Sequence, residues 1–182
     1  MCDVEVALPI TEGALYRDAF HGTSISQAET ILRVGFSPSD EGWYGKGVYF
    51  WLGDLSAAVW FAREVRAYQS NWAVIRAVVD SGQTLNVDQL WCNKEIRRAV
   101  EDADWAEVRR RGWSSHHVKS RVAALCLLAC EEAGIRIDSI FYFEPLRDLE
   151  RPARALCLRS LARIKSKEIV DREQIPWRLG EE

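Results

Sequence analysis

An α+β domain is the fold class that the sequence predicts, and three observations carry it. Runs of aromatic and β-branched residues gather towards the two ends of the chain. Helical patterns fill the middle, so strands and helices do not alternate as a parallel α/β sheet requires. A length of 182 residues suits one core and is short for two. Residues 16–171 are expected to form this domain, with 1–15 as an N-terminal lead and 172–182, charged and carrying Pro176, as a loose tail.

In chain order, Tyr16 to His21 is a short strand ending at Gly22. Ser26 and Glu29 have capping-box spacing, and Ala28, Ile31, Leu32 and Val34 give the helix behind them one apolar face, stopped at Gly35. Ser37 to Gly45 is a polar loop, and Gly47 to Trp51 has the composition of a strand. Asp54 is placed to cap a helix running to about Tyr68. Trp72 to Asp80 is a long apolar strand interrupted by Arg76, followed by a short strand from Thr84 to Val87. Helices are expected over Lys94 to Arg110 and His117 to Ala133. Strands then follow at Ile137 to Phe143, Ala155 to Arg159 and Ile164 to Val170.

A formal net charge of −3 gives the whole chain no pull towards phosphate polymers or anionic membranes, and Arg109 to Arg111 reads as a solvated helix face. The five cysteines are odd in number and lack disulfide or zinc-ribbon spacing; Cys126 and Cys130 sit within an apolar helical run. His116 and His117 are adjacent, which on a helix points them about 100° apart, so no metal site is expected. Acidic residues stand where a signal peptide needs basic ones, and no window approaches the about 18 apolar residues of a membrane span, so a cytoplasmic location is expected. No Walker loop or GxGxxG follows a strand.

The stretch from His21 to Trp51 holds the chemistry. A histidine at a strand end beside a glycine sets an imidazole next to approachable backbone N–H and C=O groups, which together cradle a planar amide. A second strand carrying Tyr49 brings a ring opposite, and Trp60 on the following helix adds a stacking face.

These residues resemble the ADP-ribosyltransferases of the diphtheria-toxin and poly(ADP-ribose) polymerase type, whose core is a split β-sheet with flanking helices; here a helical insertion would be added. The first family motif is matched by His21-Gly22-Thr23, Ile31-Leu32 and Gly35-Phe36, and the second by Gly45-Lys46-Gly47-Val48-Tyr49-Phe50 with Ser56 to Trp60. The match is specific over about Phe20 to Asp80. It implies NAD as substrate, with His21 on the adenosine-side ribose, Gly22 on the nicotinamide carboxamide and Tyr49 stacked on the nicotinamide. Thr23 belongs to the same motif, Trp60 takes the position of a second stacking aromatic, and Tyr44 has a minor share in lining the pocket.

Cleaving the nicotinamide–ribose bond builds positive charge on the sugar, so a carboxylate beside it is the group to seek. The family's Glu falls on Ala155 in an ungapped alignment. The carboxylate then comes from Glu144, or secondly Glu150; or the alignment shifts by several residues; or the protein binds NAD or ADP-ribose without turnover. The resemblance implies mono-ADP-ribosylation of a protein or nucleic-acid acceptor by a bacterial toxin or effector, with a cognate antitoxin or immunity protein as a further partner. An RNA 2′-phosphotransferase of the same fold is the remaining alternative. Asp80, Asp88 and the insertion from Trp91 to Arg111 are where target recognition would reside.

Overall fold

The computed structural model describes residues 8–39, 42–91, 94–106, 118–146 and 151–175. Glu150, Arg109 to Arg111, His116 and His117 lie outside the described residues. The elements are β1 (Ile10–Thr11), β2 (Leu15–Ser24), α1 (Ile25–Val34), β3 (Val48–Leu52), α2 (Leu55–Trp60), β4 (Trp72–Asp80), β5 (Thr84–Asn86), α3 (Val87–Trp91), α4 (Lys94–Asp102), α5 (Val118–Glu132), β6 (Ser139–Leu146), β7 (Arg151–Leu158) and β8 (Ile164–Ile169). Among the described residues the strands form one eight-stranded sheet in the order β1-β5-β6-β7-β3-β2-β4-β8, antiparallel except for β5 with β6. The class is α+β.

Side-chain alternation divides β2, β3, β4, β6 and β7 between two cores. Phe20, Trp51, Val74, Tyr142, Ala155 and Cys157 face the core that also takes in residues of α2 to α5. Ala19, Val48, Phe50, Ile75, Leu156 and Leu158 face the core closed by Ala28 of α1 and by Phe36. Arg76, which interrupts the apolar run of β4, is exposed and forms ion pairs with Asp18 on β2 (2.6 Å) and Glu168 on β8 (3.5 Å). Its charge therefore joins three neighbouring strands without entering a core.

Local chemistry sets the element ends. β2 runs directly into α1, so the cap is Ser24, whose Oγ accepts from Gln27 N at 3.3 Å; the expected Ser26/Glu29 box is displaced by two residues. Gly35, at φ 98°, ends that helix. Asp54 caps α2 as expected, its Oδ1 accepting from Ala57 N at 3.0 Å. That helix is regular only to Trp60, passes through a π-turn at Phe61–Val65 and ends before Ala67 and Gln69, both at positive φ. The expected continuous helix to Tyr68 is thus broken.

The last hairpin is longer than its sequence suggests. β6 extends to Leu146 and β7 begins at Arg151, with Pro145 opposite Pro152 in register. At the chain ends, Ile10 and Thr11 pair with Leu85 and Thr84. Arg172 donates to the carbonyls of Ser70 and Trp72 and lies 4.4 Å over the Trp72 ring, while Ile175 is buried. The segment from Arg172 to Ile175 is therefore docked against the start of β4, where a loose tail was expected.

Candidate functional site

The sheet opens where β2 and β3 part. They are in register only at Ala19↔Leu52 and Phe20↔Trp51. Beyond that point β2 continues alongside β4 from His21 to Ser24, and β3 continues alongside β7 through Val48, Tyr49 and Phe50. Each strand keeps its outer partner and leaves the other.

Backbone alternation fixes what faces this opening. Val74 uses its carbonyl to accept from Val170 N (2.9 Å), on the β8 side, so Gly22, its partner in register, turns its own N–H and C=O away from β4 and towards β3. Asp18, whose carbonyl accepts from Gly53 N (2.7 Å), gives the same alternation four residues earlier. On its other side Gly22 is pressed against α2: a Cβ there would overlap the Ala58 carbonyl oxygen and touch the Ala62 Cβ. A glycine is required by packing, and its peptide edge is presented to the opening as a donor and an acceptor.

His21 spans the gap. Its Nδ1 lies 2.9 Å from the Tyr49 carbonyl oxygen, and its ring stands edge-on to Phe36 and Phe50. Because that carbonyl can only accept, Nδ1 carries the hydrogen, and the neutral ring keeps an accepting lone pair on Nε2. Burial lowers the His21 pKa, the bond to the Tyr49 carbonyl opposes this, and the Arg66 charge lowers it further. The site therefore holds a neutral imidazole suited to accept from a hydroxyl.

Tyr49 is half-buried on the other face of the sheet, packed against the helical core. Its hydroxyl accepts from Tyr44 N (3.0 Å) and donates to the Gly45 carbonyl (2.7 Å), which ties the loop before β3 to the phenol. Burial and the neighbouring Cys157 push this phenol well above its ordinary range. Its hydroxyl is structural, and any ligand contact falls to the ring. Thr23 is buried and donates to Gln27 Oε1 at 2.8 Å, an oxygen that also accepts from Tyr68. Trp60 ends α2, half-buried against the helical core. Tyr44 is 2% exposed with its ring 4.1 Å from that of Tyr142, which sets it in the core behind the site.

Glu144 is elsewhere. It pairs with Ala153 near the outer end of the β6–β7 hairpin, and β7 and β3 both lie between it and β2. Three strand spacings of about 4.8 Å each separate it laterally from His21. The structure does not bring these two residues together. Burial raises the Glu144 pKa to about 7, with Lys119 opposing and Asp88 adding to the rise. Lys119 itself is held by Asp88 Oδ1 (2.6 Å) and by the Phe143 carbonyl (3.1 Å), and Asp88 Oδ2 accepts from Phe143 N. Ala155, the aligned position for the family's Glu, is 1% exposed and in register with Trp51 on one side and Tyr142 on the other.

Sequence reasoning missed two supports. Arg151 holds the Asp54 cap with both terminal guanidinium nitrogens, at 2.7 and 3.0 Å, tying α2 to the start of β7. The edge-on triad of His21, Phe36 and Phe50 fixes the imidazole plane. Phe36 and Phe50 belong to the two motifs, yet they meet only in the folded chain, with ring centroids 5.3 Å apart. Burial pushes the thiols of Cys126 and Cys157 up to about 12, which marks them as inert core groups. No family model, curated protein or solved structure matches this chain.

Proposed function

We propose that this protein is an NAD-dependent mono-ADP-ribosyltransferase with a split-sheet core of the ADP-ribosyltransferase type. It takes the nicotinamide end of NAD into the β2/β3 opening, releases nicotinamide and passes ADP-ribose to a protein or nucleic-acid acceptor. The observation that carries the reading is the opening itself, with the Gly22 peptide edge turned into it and a neutral His21 across it. In this reading the nicotinamide carboxamide donates to the Gly22 carbonyl and accepts from its N–H. His21 Nε2 accepts from a ribose hydroxyl, and Tyr49 and Trp60 supply aromatic faces. The setting that suits this chemistry is a cytoplasmic toxin or effector neutralised by a cognate antitoxin or immunity protein.

Release of nicotinamide from NAD, with cell lysate as acceptor source, tests the reading. Turnover by the wild type that falls about a hundredfold in His21→Ala supports it. A wild type that binds NAD and releases nothing refutes turnover.

A second reading is favoured by two observations: Ala155 fills the aligned carboxylate position, and Glu144 is remote from the opening. It makes the protein an NAD- or ADP-ribose-binding module. Glu144→Gln separates the two: loss of turnover assigns the carboxylate, and unchanged NAD binding without turnover in either protein establishes the module.

A further inference from the structure

A cavity of about 320 Å³ lies beside the loop that leads into β3. Its walls bring together Lys46 from that loop, Arg136 from the segment after α5, and Arg159 and Ser160 from the end of β7, with Ile137 as part of an apolar floor and Glu131 as the opposing charge. Three cations face one anion in a chain whose net charge is −3, so the basic character is local. The exposed Arg136 guanidinium has its Nε 3.2 Å from Asp138 Oδ1, and its Nη2 donates to Ser160 Oγ at 3.1 Å. Asp138 is buried and also receives Arg163, so it is a firm anchor. Three cations gathered around a hydroxyl, over an apolar floor, match a phosphate attached to a flat or sugar-like body. A volume near the lower end of small-molecule sites suits one nucleotide unit and is too small for an extended acidic chain.

We propose that this cavity binds the phosphate of a nucleotide, and that on the transferase reading it seats the phosphorylated end of a nucleic-acid acceptor. Lys46 links it to the candidate site, because it lies between Gly45, whose carbonyl accepts from the Tyr49 hydroxyl, and the strand that carries Tyr49.

The test uses no NAD, so its failure is separate from failure of the transferase reading. Fluorescence anisotropy with a 3′-labelled hexanucleotide compares 5′-phosphorylated and 5′-hydroxyl forms at low and moderate salt. The expected result is about tenfold tighter binding of the phosphorylated form, lost in Arg159→Gln and in Lys46→Gln and retained in His21→Ala. Thermal unfolding checks that each variant is folded, and either of the first two suffices. Adenosine monophosphate as competitor distinguishes the sources: displacement at concentrations comparable to the hexanucleotide points to a free nucleotide, and weak displacement to a strand end. Equal binding of the two oligonucleotide forms, binding unaffected by both cavity variants, or equal competition by polyglutamate overturns the proposal.

Discussion

The β2/β3 opening and the outer end of the β6–β7 hairpin are built in opposite ways. The opening takes its polar groups from a stretch of thirty residues, His21 to Phe50, which folds back through α1 and the connection after it. The hairpin end gathers Asp88, Lys119, Glu144 and, through Arg151, Asp54, from four separate elements and their flanks. One is specified by local order and the other by register. They also perturb ionisation in opposite directions: burial lowers the His21 pKa and raises that of Glu144 to about 7.

The sharpest way to break the contrast is Gly22→Ala, because the added Cβ overlaps the Ala58 backbone carbonyl with no flexible side chain to yield. A destabilisation of about 3 kcal/mol is expected. It would appear as a drop of about 6–12 °C in a thermal melt. Next comes Asp54→Ala, which removes the α2 cap and the partner of Arg151; about 1–2 kcal/mol is expected in urea unfolding. If Asp54→Ala costs as much as Gly22→Ala, the distant hairpin supports the opening as strongly as the local motif does.

Two further effects depend on pH and have opposite signs. The folded state binds the His21 proton less readily than the unfolded chain, so His21 makes folding less stable as pH falls below its ordinary value of 6.5. A His21→Gln variant should therefore lose less stability than the wild type between pH 7 and 5. Glu144 works the other way: between its ordinary 4.5 and about 7 the folded state holds more protons, so stability declines as pH rises through that window. Glu144→Gln should match the wild type at pH 4 and gain on it up to about pH 7, with no further gain above; a constant difference across pH would remove the ionisation account.

The same contrast explains what could be read in advance. Trp72 to Asp80 was legible as β4 to the residue, and Asp54 as a cap, because apolar runs and capping chemistry are local signals. The helix cap moved from Ser26 to Ser24 because β2 continues into α1 with no intervening turn. The sequence predicts β7 only from Ala155, because Pro152, Arg151 and Arg154 hide the start of the strand, and only pairing with β6 reveals it. At the site, the meeting of His21 with Tyr49 follows from two adjacent motifs. The remoteness of Glu144 does not, since it depends on the strand order β6-β7-β3-β2, which no short-range pattern encodes.

β8, the last strand on the β4 side among the described residues, has the sequence IKSKEI. Its outer backbone groups are a template on which another chain's strand can add, and Lys165 and Lys167 place two positive charges along it. A second β8 approaching edge to edge would bring four lysines together, so this border of the molecule discourages self-stacking into fibrous aggregates when the protein is concentrated.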